Sequence, residues 1–444
     1  MNIQSVNINK IAWRELFPWS IIFRTLPIAT SVTVIVLATA GVMLIPLGWF
    51  AGEQVFLTKA IKANDPALAE LARINRSPYL AVFRASEPAD RSVRILGANL
   101  NGPWAVFENT VRPFRALFQT GWSTREYIYL VLGSLWSILV WSFLGCAITR
   151  ACVIRLTRDE SLGIADAFDF ALMKYRDCLG AVLMPLSGVA LLCIPLGLLG
   201  LLLGFDVGVF LVGIFWFVIL AGAAVIAFLL FGLLFGWPLI VASISTEGQN
   251  SFDAVTRAFA YTFQRPLNYA LYMLVAILFG GFCWLIVSVV TDKVVDLGYW
   301  ATSWGANRIS IDRIEVVKGS VNPFASSVTD NRGFDSPLPG VDAEQQSVSS
   351  ALRRGRQIIG FWNGCVRTVA AAFLHGLFWC MAGAIYLLLR KDVDETEMDE
   401  VFLVDEKKTY DLPPLKSDEN GIPQVLEPVA VGEMSADATG DSES

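Results

Sequence analysis

The sequence is short of most residues that chemistry uses. It has one histidine, His375, among 444 residues, and only 17% of the chain is charged. Soluble domains carry about 25% charged residues, so an ordinary cytosolic enzyme and a nucleic-acid-binding domain are both excluded. No H-E-x-x-H, P-loop or C-x-x-C pattern occurs, which removes the usual frames for metalloproteolysis, ATP hydrolysis and small zinc or haem sites. No Asp or Glu interrupts the long apolar runs, so a paired intramembrane aspartyl centre is excluded as well.

Seven cysteines are present: Cys146, Cys152, Cys178, Cys193, Cys283, Cys365 and Cys380. They lie in or beside apolar runs, where a disulfide framework of polar loops would not place them. They read as small packing residues. No cofactor and no metal is expected.

What is abundant is hydrophobicity, at 55% of residues with a mean hydropathy of +0.54. A bilayer core about 30 Å thick needs about 20 apolar residues per helix. Six uncharged runs meet that length, near 27–50, 127–148, 178–204, 208–236, 267–291 and 368–389. They are continuous and lack the alternation of barrel strands. The expected fold is therefore an all-α membrane protein with about six transmembrane helices. Trp237-Pro238 is expected to end the fourth. Spans three and four join through a few residues around Asp206-Val207-Gly208, a tight hairpin. Gly197, Gly200, Gly204 and Pro195 in it invite close packing or a bend. Ala38-Thr39-Ala40 fits a signal-peptide cleavage rule, but the apolar run continues to Phe50, so the first span is expected to remain as an anchor.

Charge is unevenly placed. Residues 391–444 hold 4 Lys and 16 Asp or Glu, while the remaining 390 hold 30 Lys or Arg and 24 Asp or Glu. The basic body suits anionic headgroups, and the acidic tail 390–444 argues against nucleic acid and reads as disordered. Within it, Glu400 to Val404 has the pattern of a docking peptide. Basic residues flank four short segments: Lys10, Arg14 and Arg24; Arg150, Arg155, Arg158, Lys174 and Arg176; Arg257 and Arg265; and Arg390-Lys391. With six spans all four fall on one side, so both termini are expected in the cytoplasm of a bacterial inner membrane. The loops 51–126 and 292–366 are then outside. Glu53–Ile74 is expected as a helix, Ser92–Phe118 as mixed structure with turns at Asn101-Gly102-Pro103, 319–346 as disordered, and Ser347–Trp362 as a helix leading into span six. Residues 1–26 form a cytoplasmic lead-in, 4–24 being a candidate interfacial helix interrupted by Pro18.

The two internal cytoplasmic loops repeat. Glu160, Asp166, Ala167 and Ala171 and, 87 residues later, Glu247, Asp253, Ala254 and Ala258 both fit E-x5-D-A-x3-A. The expected unit is span, elbow helix, span, in parallel copies. Ser251 is a candidate N-cap, with Asp253 in the first turn favoured by the helix dipole. The alanines, four apart, form a flat stripe for close approach to the membrane face or to the twin helix; the elbow either stabilises the turn and holds the repeats together or docks a cytoplasmic partner.

The phrase Ser245-Thr246-Glu247-Gly248, followed by Phe252-Asp253-Ala254, Arg257-Ala258 and Tyr261, resembles a motif of uncharacterised bacterial multi-pass membrane proteins. It is similar to the Glu-Gly…Ala elbow in the membrane part of some glycerophosphodiester phosphodiesterases. The resemblance covers roughly residues 127–291. It implies a fold and not an activity, since no soluble phosphodiesterase domain accompanies it.

Three functions remain open. The empty spans, outer loops and acidic tail point to a non-enzymatic scaffold or assembly protein, with the bilayer and protein partners at the cytoplasmic loops and tail. Two cytoplasmic helices in repeated spans also fit a permease-like subunit served by a separate ATPase. The Ala-Ala and glycine spacing of that permease motif is missing around Leu183-Met184-Pro185. A lipid enzyme would have to use interfacial acids such as Glu160, Asp166 or Asp253. His375, the one ionisable group inside a span, is expected to bond a carbonyl or serine, the other reading being a proton relay.

Overall fold

The computed structural model describes residues 18–56, 102–118, 122–304 and 350–403. Expectations for residues 4–17, for the Glu53–Ile74 helix beyond Phe56, for 319–346 and for the tail beyond 403 lie outside the described residues. The chain divides into Met1–Val401 and Phe402–Ser444, and the first of these units holds the architecture below.

The described residues are helical, without strands. After a short 3-10 turn, Pro18–Arg24, come α1 (Thr25–Ala29), α2 (Val32–Phe56), α3 (Gly102–Leu117), α4 (Thr124–Arg158), α5 (Ile164–Leu201), α6 (Asp206–Ile214), α7 (Trp216–Glu247), α8 (Ser251–Gln264), α9 (Pro266–Ser303) and α10 (Ser350–Asp394). Six helices are long and apolar enough to cross a membrane: Val32–Phe56, Thr124–Arg158, Ile164–Gly204, Trp216–Glu247, Pro266–Thr302 and Phe361–Asp394. They contain four of the six uncharged runs of the sequence and overlap the other two, since the runs near 27–50 and 208–236 begin before Val32 and Trp216.

Local chemistry explains the helix ends. Ser123 and Glu126 form a capping box at α4: the Ser123 amide donates to Glu126 Oε2 at 2.7 Å, and Ser123 Oγ accepts from the Glu126 amide at 3.4 Å. Helix α4 stops at Asp159 in the left-handed region (φ 58°), and Asp159 pairs with Arg24 at 2.7 Å. Helix α7 stops at Gly248 (φ 64°), whose amide donates to Ile244 O at 2.9 Å. A glycine is favoured there because a Cβ is penalised at that φ.

Three expectations need correction. Pro238 does not end the fourth span, because α7 runs through it to Glu247. A proline removes one N–H, whereas stopping the helix in hydrocarbon would orphan a whole turn of backbone groups. The span hairpin is also more broken than a tight turn. A 3-10 turn at Leu202–Gly204 and extended Phe205 precede α6, and a second break at Phe215 separates α6 from α7. Finally, of the close packing or bend expected from the glycines, only the second is found: no described residue lies within 4 Å of a Cβ placed on Gly197, Gly200 or Gly204, whereas the helix does break at Gly204.

Burial sorts the spans. In α10, 94% of the apolar window is buried, against 6% for Ile164–Gly204 and 11% for Trp216–Glu247. Helix α10 is thus the central post. Its Gly376 lets Val34 of α2 approach, its Gly383 meets Thr149 and Val153 of α4, and its Trp379 lies over Gly145. The outer parts of α5 and α7, with α6, project as an apolar hairpin. Leu191, Leu198, Phe210 and Phe217 are all exposed there.

Helices α2 and α4 are locked by two reciprocal tryptophan–glycine contacts. Trp49 of α2 lies over Gly133 of α4, and Trp136 of α4 over Gly48 of α2, so that added Cβ atoms would sit 2.3 and 2.2 Å from the rings. Both indoles are also bonded, Trp49 Nε1 donating to Ser137 Oγ at 3.2 Å and Trp136 Nε1 to Leu44 O at 2.9 Å.

The segment expected as a wholly external loop is partly inside the bundle. Helix α3 begins with Gly102 against Trp284 and Leu374, and Pro103 packs on Gly280. Gly280 is near the middle of the uncharged run 267–291, so the α3 N-terminus reaches mid-span depth. At the other end Ala116 clusters with Trp49, Tyr129 and Leu130, and Trp122 Nε1 donates to the Ala116 carbonyl at 2.8 Å. Gly102-Pro103, expected as part of a turn, therefore begin a helix at depth, where glycine and proline allow close contact with α9.

Gly133→Val forces Trp49 out of its seat, and the overpacking is expected to cost about 1–3 kcal/mol. The measurement is thermal unfolding in mild detergent; an unchanged midpoint would show that the α2–α4 lock contributes nothing.

Candidate interaction site at the polar helix ends

Glu247 is the last residue of α7, and Gly248 turns the chain sharply beyond it. The turn leaves the carboxylate facing α8 and α10. Oε1 accepts from Tyr386 Oη at 2.7 Å and lies 3.6 Å from Arg390 Nη1. Oε2 accepts from Arg257 Nη1 and Gln249 Nε2. Tyr386 Oη also reaches Ser243 Oγ at 3.2 Å, and Ser243 Oγ donates to Gln249 Oε1 at 2.9 Å. Both carboxylate oxygens are therefore engaged by groups from α8, α10 and the 248–250 turn. Arg390 is 2% exposed and Glu247 15%, so the pair is shielded from solvent.

A second shell of bonds fastens the end of α10. Tyr261 Oη donates to Asp394, which also lies 3.5 Å from Arg257. Tyr272 Oη and Asn268 Nδ2 donate to Asp392 at 2.6 and 3.2 Å. Arg390 then holds the following residues through the Glu397 and Glu400 carbonyls at 2.6 and 2.8 Å. Glu395 adopts φ 56° at this turn, and Val401 is buried. Residues 395–401 are thus a strap folded back on α10.

The electrostatics follow from these contacts. Burial opposes the Arg257 charge, but Glu247, Tyr386, Tyr261 and Asp394 outweigh it and hold its pKa above the ordinary value. Burial, and then the bond to Asp394, push the Tyr261 phenol up, so it stays protonated as a donor. The site holds fixed opposite charges in a closed network.

The residues singled out from the sequence are not gathered into one site. Glu247 is the centre of the network, whereas Glu160, Asp166 and Asp253 are exposed. Ala167, Ala171, Ala254 and Ala258 are fully buried within the chain. Their flat stripes serve internal packing and are not open to a partner. Ser251 is not the N-cap: Asn250 holds that position without a side-chain cap bond, and Ser251 Oγ donates to Asp177 O at 2.9 Å. Segment 164–171 is the start of the unbroken α5, whereas α8 is separated from α9 at Arg265-Pro266. His375 Nδ1 donates to Ala371 O at 2.8 Å, and its ring stacks on Trp141 at 5.3 Å. All seven cysteines are free; five are buried, Cys193 is exposed and Cys365 intermediate.

Sequence reasoning missed Tyr386, Arg390, Tyr261 and Asp394 as members of one cluster. Their signal was polar or charged residues near the ends of two helices, α8 and α10, which is common and therefore weak. It also missed Arg150, buried at the end of the α4 run, which donates to Ser245 O at 3.0 Å and lies over the Phe170 ring at 4.3 Å. Compared with known protein families, curated proteins and solved structures, the chain matches none.

Glu247→Ala removes the carboxylate from the buried Arg390 and is expected to cost roughly 3 kcal/mol. Arg257→Ala breaks a partner that is 37% exposed and should cost only about 1 kcal/mol, because solvent screens it. Unfolding midpoints of the two variants give the ranking, and equal losses would contradict the central place of the Glu247–Arg390 contact.

Proposed function

We propose that the protein is a non-enzymatic scaffold or assembly protein of a bacterial cytoplasmic membrane, with both termini cytoplasmic. One observation carries this reading: the hairpin of α5, α6 and α7 leaves nearly its whole apolar surface uncovered while α10 is enclosed. Membrane helices associate through close packing at small residues, and Gly197, Gly200, Gly204 and Gly213 have open space before them. A second membrane protein seated on this hairpin is the partner that such a surface suits. The closed Glu247 network supports the same reading, because it stiffens the helix ends from which the hairpin projects.

The orientation is supported by the clustering of Arg24, Arg150, Arg257 and Arg390 through bonds to Asp159, Ser245 and Glu247 at neighbouring helix ends. A parallel repeat is supported by the paired left-handed caps Asp159 and Gly248 and by the extended N-caps Gly163 and Asn250. The buried alanines of both copies add to it. The likeness to the phosphodiesterase membrane part bears on this fold alone.

A permease-like subunit is the second reading, favoured by α3 dipping to mid-span depth. A lipid enzyme has no observation of that kind, since Glu160, Asp166 and Asp253 stand exposed and apart.

A photoreactive residue at Leu198 or Phe210 should yield one discrete adduct with one membrane protein, identified by mass spectrometry from native membranes. The same probe at Leu274 of α9, also exposed, should yield lipid adducts. Lipid adducts alone at all three positions would sink the scaffold reading, and a stoichiometric ATPase in the purified complex would favour the permease.

A further inference from the structure

Helix α3 carries a charged row on the face turned away from its packing. Val106, Phe107 and Pro113 are buried, while Glu108 and Arg112 form a 3.7 Å pair with side chains 41% and 38% exposed. Arg115 continues the row one turn on. The depth of this row follows from the helix start. Pro103 is pinned to Gly280 at the middle of an uncharged run, and Gly102 to Leu374 in the 368–389 run. At about 1.5 Å rise per residue, Glu108 is at most about 8 Å further along α3. Half of a 30 Å hydrocarbon core is about 15 Å, so Glu108 is still below the membrane surface.

Hydrocarbon does not solvate such a pair. Intramembrane charges face protein or a water-filled cavity, and a short carboxylate side chain reaches the headgroups poorly compared with lysine or arginine. Among the described residues Glu108 bonds only Arg112. Its exposed atoms require a polar medium.

We propose that the charged face of α3 lines a water-filled vestibule, open on the side of the membrane away from Glu247 and reaching close to mid-membrane depth. Helix α3, backed by α9 and α10 at Gly102 and Pro103, is its inner wall. The vestibule admits small hydrophilic solutes to the level of Ala105, beside the α3 N-terminus. This stands on the position of α3 and does not depend on the scaffold reading.

The test is the rate at which a charged, membrane-impermeant thiol reagent, added on that side, modifies single cysteines in the full-length protein in vesicles, read peptide by peptide by mass spectrometry. Ala105→Cys and Glu108→Cys are compared with Phe282→Cys, which is exposed on α9 two residues from Gly280. A hydrated vestibule makes both α3 sites react at least about tenfold faster than Phe282→Cys, because hydrocarbon excludes the charged reagent. If both are as slow as Phe282→Cys, there is no vestibule. If Glu108→Cys reacts but Ala105→Cys does not, the row lies at the headgroups and the proposal also fails. Hydroxyl radicals generated in the water around the unmodified protein provide a check that needs no folded variant. Trp104, half-buried at the edge of the row, should be oxidised where Phe282 is not; equal protection of both would overturn the proposal.

Discussion

The bonds at Glu247 hold the polar end of the bundle together. One carboxylate terminates α7, accepts from Arg257 and Gln249 on one oxygen, and meets Tyr386 and Arg390 on the other. Its position depends on Gly248, since only a left-handed turn directly after the helix leaves the side chain facing both α8 and α10. A buried charge of this kind is tolerated because its acceptor sites are filled. Arg257 of α8 bonds to Glu247 and Tyr261 to Asp394, Arg390 holds the strap 395–401, and Asn268 and Tyr272 fasten α9 to Asp392.

At the opposite half of the bundle, shape replaces charge. The contacts of Trp49 with Gly133 and Trp136 with Gly48 use the largest and smallest side chains to bring α2 and α4 together, and each indole N–H finds an acceptor. In hydrocarbon there is no water to drive helices together, so van der Waals fit and satisfied polar groups supply the association. Helix α10 follows the same rule with Gly376 and Gly383. Its apolar run looks in sequence like the five others, yet it is the most enclosed.

The two halves give the molecule an uneven surface. Closely packed spans surround α10, while the hairpin of α5 to α7 projects with its glycines uncovered. Between the spans, α3 carries a charged face to a depth at which a lipid-exposed helix would be apolar. A scaffold and a hydrated cavity are compatible in one protein, because they use different faces of it.

The sequence by itself determined the six apolar helices, for a plain reason: the bilayer accepts only long uncharged runs whose backbone bonds are internal. It also marked Gly248 and the alanine pairs, whose roles are local or periodic. It did not determine that Pro238 would be carried inside a helix, that Gly102-Pro103 would begin a helix at mid-span depth, or that Glu247 would meet Tyr386, 139 residues away. Those outcomes rest on which helices become neighbours. Only the tertiary structure decides that, because the fit of Trp against Gly and the pairing of charges from distant helix ends leave no period in the chain.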